Sequence, residues 1–76
     1  MPRGLTKANA YYNNKQAWDD WNWLSAYAVR NGKAEASRRL QPPDGAGYRK
    51  VDKAIDALMT ELGVTTPFYE FRKANP

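Results

Sequence analysis

The three tryptophans of this 76-residue chain all lie in the six positions from Trp18 to Trp23. Successive residues of an α-helix turn by about 100° around its axis, so three residues at this spacing cannot share one face. Trp18 and Trp21 fall on one side of such a helix. Trp23 falls on another, four residues before Tyr27. The segment therefore predicts a helix with a buried aromatic side and a further tryptophan outside that side.

The length and composition limit the kinds of protein this chain can be. A chain of 76 residues is one small domain, which buries only about 60% of the surface that its unfolded state exposes. It contains no cysteine and no histidine, which removes disulfides, the commonest general base and the commonest metal ligand. Ser25 and Ser37 would each need a lysine as base. We therefore predict no catalytic residues, no metal and no cofactor.

Membrane insertion and secretion are not expected. Residues 1–4 are not followed by the long apolar run of a signal peptide. The longest mainly apolar stretch, residues 21–29, is too short to cross a bilayer. We predict a soluble protein of the cytoplasm.

The first half of the chain predicts one long helix and one short one. Asn14 is a suitable N-cap for a helix that runs through Arg30, and Asn31-Gly32 is a suitable end. Residues 33–40 are good helix formers and predict a short connecting helix. The two prolines and two glycines in residues 41–47 predict a loop.

The second half carries the clearest helical period. Residues 48–62 place one apolar stripe opposite a charged face, and Gly63 is a suitable residue to follow the helix end. The stripe consists of Tyr48, Val51, Ile55, Leu58, Met59 and Leu62. Residues 68–73 are too short a pattern to decide between a strand, a helical turn and an extended arm.

Together these patterns predict a small all-α single domain. Two main amphipathic helices pack in an antiparallel-like arrangement, joined by a short connecting helix, with Trp18 and Trp21 against the apolar stripe. The termini are expected to be flexible. Residues 1–8 are predicted to be mobile, residues 9–66 to form the helical body and residues 67–76 to form a tail.

Positive charge is concentrated in the middle of the chain. Residues 30–53 hold seven basic and three acidic residues, which accounts for the whole net charge of +4. Such a segment suits an acidic protein surface, a nucleic acid or an ordinary solvated face. The candidate residues for electrostatic or nucleic-acid contacts are Lys33, Arg38, Arg39, Arg49, Lys50 and Lys53.

The tryptophan outside the buried side is the candidate protein-binding residue. Trp23 and Tyr27 would form an aromatic ridge beside Arg30, and these residue types dominate binding hot spots. The alternative is that Trp23 is covered by the N-terminal tyrosines, residues 11–12, or by the aromatic tail, residues 68–71. We take the exposed arrangement as the prediction.

A small DNA-binding protein is the main alternative function. Ala28 and Gly32 have the spacing found at the turn of a helix-turn-helix. Arg38, however, stands where that motif needs an apolar residue, and the proline-containing loop is too long for its tight turn. An accessory, non-specific contact with phosphates fits the basic segment better.

The arrangement of these elements resembles the late-gene antitermination regulators of tailed bacteriophages. The resemblance covers residues 17–62 and depends on the Trp18-x-x-Trp21 helix, the variable basic connector and the pattern V-D-K-A-I-x-x-L beginning at Val51. The chain lacks the family's cysteine-based zinc module and a helix-turn-helix after Gly63. The resemblance implies a non-enzymatic regulator that binds bacterial RNA polymerase in the host cytoplasm and alters initiation or termination. A phage inhibitor of another host complex is a further alternative.

Overall fold

The computed structural model describes the backbone of residues 7–75 and the side chains of residues 14–75. It contains four helices within that range and no strand. They are α1 (Lys7–Arg30), α2 (Ala34–Leu40), α3 (Tyr48–Glu61) and α4 (Phe68–Ala74). The predicted all-α class is confirmed, and the two helices predicted over residues 33–40 and 48–62 agree with α2 and α3 to within a residue at each end.

The core lies between α1 and α3. Leu24 of α1 and Val51 and Leu58 of α3 are fully buried, and Trp21 is only 3% exposed. The buried cluster consists of Ala17, Trp21, Leu24, Ala28, Ala36, Ala46, Val51, Ala54, Ile55, Leu58 and Met59. These positions on α3 follow the predicted apolar stripe, because every third or fourth residue of a helix faces the same side.

Trp18 lies at the edge of this core with its polar end satisfied. The indole is half-buried, and its Nε1–H donates a hydrogen bond to the carbonyl oxygen of Ala46 over 3.0 Å. A buried indole needs such a partner because an unpaired N–H is costly to remove from water. This bond holds the loop of residues 41–47 against α1.

The helices α1 and α3 run in the same general direction, so the predicted antiparallel-like packing is wrong. Asn14 of α1 hydrogen-bonds to Tyr48, the first residue of α3. At the other end, α2 follows directly after α1, and its Arg39 pairs with Glu61, the last residue of α3. The arrangement arises because α2 and the loop of residues 41–47 carry the chain back along α1 before α3 begins.

A polar contact joins α2 to α1 within this apolar surrounding. The hydroxyl oxygens of Ser25 and Ser37 lie 2.5 Å apart, and Ser37 is 5% exposed. The two hydroxyl groups are hydrogen-bonded to each other, which removes the cost of burying an unpaired polar group. The two serines therefore have a packing role.

Both predicted helix ends are confirmed at glycines in the left-handed conformation. Gly32 and Gly63 have φ angles of 80° and 73°, where a side chain would be strained. The N–H of Lys33 bonds to Ala28 over 2.8 Å, and that of Val64 bonds to Met59 over 3.0 Å. These bonds satisfy carbonyls that have no partner within the helix.

The beginning of α1 differs from the prediction. The helix begins at Lys7 rather than after Asn14, because asparagine costs only about 0.7 kcal/mol in a helix interior and does not break one. Residues 7 and 8, predicted to be mobile, lie in this helix, and residues 1–6 lie outside the described part of the chain. Asn14 is a cap all the same, but for α3. Its Oδ1 accepts the backbone N–H of Tyr48 over 2.7 Å, where Gly47 supplies no side chain for this purpose.

Replacing Asn14 with alanine should weaken the start of α3. We expect a loss of about 1 kcal/mol in unfolding free energy, the usual cost of removing a capping side chain. Asn22→Ala is the matched control, since Asn22 is exposed on the same helix and both variants gain the same helix propensity. The measurement is urea denaturation followed by circular dichroism. Equal stability of the two variants would contradict the capping role of Asn14.

Candidate interaction surfaces

The aromatic ridge of α1 is covered by α4. The ring of Trp23 stacks on Tyr27 with centroids 5.7 Å apart, at an interplanar angle of 23°. The rings of Phe68 and Phe71 meet Trp23 edge-on at 5.8 and 5.7 Å, and Phe71 also meets Tyr27 at 5.0 Å. These distances are typical of favourable aromatic pairs. Four rings therefore form one cluster, which we call the aromatic cluster.

An arginine of α4 fastens this cluster to α1. Nη1 of Arg72 donates to Oδ1 of Asp20 over 2.6 Å and lies 3.1 Å from Oδ2 of Asp19. The Arg72 guanidinium also lies 5.6 Å from the centre of the Trp23 ring. A cation placed between two carboxylates and a ring face is held by charge-assisted hydrogen bonds and by the ring quadrupole. The two adjacent aspartates of α1 thus bind the C-terminal helix.

These contacts decide the interpretation of Trp23. The prediction that its ring lies uncovered is wrong. The helix α4 packs over the ring, which is half-buried at the edge of the core. Of the alternatives, the aromatic tail provides the cover. The side chains of residues 11–12 lie outside the described part of the chain. Tyr27 is half-buried in the same cluster, and Arg30 is exposed with its guanidinium 6.0 Å from the Tyr27 ring.

Residues 68–73, for which the sequence did not decide between a strand, a helical turn and an extended arm, form the two-turn helix α4. Phe68 and Phe71 are three residues apart and Arg72 follows directly, so one side of α4 presents two rings with a cation beside them. Sequence reasoning missed Asp19, Asp20 and Arg72 as a contact. Their charges were visible, but charge alone does not say which of the chain's twelve cations pairs with a given aspartate.

The six basic candidates, which we call the basic surface, are distributed along α2 and α3, with Lys33 and Arg39 near the end of α3 and Arg49 and Lys50 at its start. All six candidates are exposed: Lys33, Arg38, Arg39, Arg49, Lys50 and Lys53. On α3, Arg49 and Lys53 lie one turn apart, opposite the buried stripe. The Arg49 guanidinium donates a hydrogen bond to the side chain of Tyr48, which raises the pKa of Arg49 above its usual value. Arg39 lies 3.4 Å from Glu61 in an exposed ion pair that joins α2 to α3.

Comparison with protein-family models, with curated proteins and with solved structures found no match. Among the described residues, no group of three acidic side chains is placed to hold a metal ion. No helix in the described range is both long and apolar enough to span a bilayer.

Proposed function

We propose that the chain is a non-enzymatic regulator that binds bacterial RNA polymerase and alters transcription initiation or termination. We further propose that it contacts an acidic region of the polymerase through the basic surface. This assignment differs from the predicted docking by Trp23, whose ring is occupied by α4. Trp23 and Tyr27 serve the docking of α4 in the free chain, and Arg30 lies at the margin of that cluster.

The observation that carries the proposal is that the six basic side chains are all exposed, five of them on α2 and α3, which pack together, and Lys33 directly before α2. Exposed arginine and lysine keep their charge in solution, and a surface of one sign accelerates encounter with a surface of the opposite sign. Lys50 and Lys53 lie on α3, and Arg38 lies on α2. Because α2 is fixed to α1 and α3, these charges are presented by a rigid body rather than by a mobile tail.

The resemblance to phage antitermination regulators supplies the identity of the partner. It covers residues 17–62, from the middle of α1 to the end of α3, and these helices also form the core. Action on the polymerase would take place in the cytoplasm of the bacterial host. The small area of a 76-residue domain suits a regulator that works by occupying a site on a large enzyme.

Reversing two charges on α3 should weaken polymerase binding. In the Arg49→Glu/Lys53→Glu double variant we expect at least about a tenfold loss of affinity for purified RNA polymerase, because attraction becomes repulsion at the contact. Biolayer interferometry with core enzyme and holoenzyme measures this. Lys73→Glu is the matched control, since Lys73 is exposed on α4 and lies outside the basic surface. A wild-type chain that fails to bind polymerase at low salt would refute the proposal.

DNA binding by the same basic surface is the second candidate, favoured by the same exposure of arginine and lysine. Fluorescence anisotropy with a labelled duplex across a salt series separates the two. A steep loss of DNA affinity between about 50 and 200 mM salt, without polymerase binding, would favour DNA. Polymerase binding with no change in the anisotropy of the labelled duplex would favour the polymerase-binding regulator. Binding of neither, with capture of another purified host complex, would favour a phage inhibitor of that complex.

A further inference from the structure

The site that α4 occupies on α1 has the features of a peptide-binding groove. It offers two aromatic rings, Trp23 and Tyr27, beside two carboxylates, Asp19 and Asp20. The segment that fills it is a short helix with two phenylalanines three residues apart and an arginine directly after the second. The rings of α4 pack on the rings of α1, and its arginine pairs with the carboxylates of α1. An amphipathic helix that binds in a groove makes the same kinds of contact.

The helix α4 is only loosely part of the domain. It has seven residues, none of them buried, and no side chain caps its beginning. A helix of this length is unstable in water by itself, so it forms only while it is docked. Segments with little buried surface open at a lower free-energy cost than the rest of a protein.

A short exposed segment connects α3 to α4, and Phe68 and Phe71 of α4 pack against the edge of the core. Residues 65–67 are exposed, and Gly63 ends α3 before them. Beside the docked helix an open cleft of about 500 Å³ lies between α1 and α4, lined in part by Gln16 and Tyr69. A helix longer than α4 would therefore find additional surface in this cleft that α4 does not fill.

We propose that the groove formed by Asp19, Asp20, Trp23 and Tyr27 binds a helical segment of another protein, and that α4 occupies this groove in the free chain. The partner segment carries two aromatic residues three apart, followed directly by arginine. The partner must displace α4, which acts as a built-in competitor at high effective concentration. The proposal concerns a different surface from the basic surface, so either can fail without the other.

The test uses the full chain and, as the probe, a synthetic peptide of residues 64–76. The isotopically labelled chain is titrated with peptide, and the Trp23 indole resonance reports binding by NMR. Arg72→Glu in the chain weakens the hold of its own α4 and should strengthen peptide binding by at least about tenfold, since charge-assisted hydrogen bonds are lost only within the chain. Lys73→Glu is the matched control and should bind as the wild-type chain does.

A second change tests the recognition itself. Adding Asp20→Asn to the Arg72→Glu chain should weaken peptide binding at least about tenfold, because the carboxylate that accepts the shorter hydrogen bond from the arginine is gone and no new ion pair with the chain's own α4 is created. Phe71→Ala replaces Arg72→Glu if circular dichroism shows that the latter does not fold. Equal peptide affinity for the wild-type and Arg72→Glu chains, or no effect of Asp20→Asn, would overturn the proposal.

Discussion

Replacing Trp21 with alanine is expected to lower the unfolding free energy by about 3–5 kcal/mol, the range for a large aromatic residue removed from a core. Trp21 is only 3% exposed and belongs to the cluster that includes Leu24 and Leu58. Small domains are stable by only about 5–15 kcal/mol, so this variant should approach unfolding at room temperature.

Thermal and urea denaturation followed by far-ultraviolet circular dichroism measure the loss. In a domain of this size, 1 kcal/mol corresponds to about 4–8 °C in Tm, so Tm should fall by at least about 12 °C. Trp21→Phe is the conservative control and should retain most of the stability, because it still fills most of the volume. A loss below about 1 kcal/mol for Trp21→Ala would contradict the placement of this ring in the core.

Replacing Trp23 with alanine is expected to release α4 and to cost about 2–3 kcal/mol. The variant loses the pairs with Tyr27, Phe68 and Phe71, each worth about 0.5–1.5 kcal/mol beyond burial. It also loses the cation–π contact with Arg72. The buried cluster between α1 and α3 does not contain Trp23, so that part of the domain should stay folded.

Hydrogen exchange by NMR distinguishes this local effect from general destabilisation. Amides of residues 70–74 should lose protection in Trp23→Ala, while those of α3 keep theirs. Binding through the basic surface should not change, because Arg49 and Lys53 lie on α3. If Trp23→Ala lowered protection equally in α3 and α4, the separation between core and aromatic cluster would be wrong.

The local patterns of the sequence predicted most of the helices. The apolar residues from Val51 to Met59 recur with the helical period, which predicted one buried side of α3, and the structure buries that side. Gly32 and Gly63 end helices for a reason that is local to each turn, namely a backbone conformation that other residues seldom adopt. Patterns that depend on neighbours within one or two turns can be recognised without knowledge of the rest of the chain.

The sequence placed Asn14 as a cap but assigned it to the wrong helix. The side chain does accept a backbone N–H at a helix start, but that start is Tyr48, 34 residues away. The relative direction of α1 and α3 was wrong for a similar reason. Both depend on the path that α2 and the following loop take, and that path is set by contacts such as Ser25 with Ser37.

By itself, the sequence determined that Trp23 could not share the buried side of Trp21, because the helical period separates them. Only the tertiary structure decided whether Trp23 would face solvent or another part of the chain. Its cover comes from Phe68 and Phe71, and the clamp between Arg72 and the aspartates spans more than fifty residues. A helix period fixes the direction of a side chain relative to its own axis, whereas its surroundings depend on which distant segment packs there.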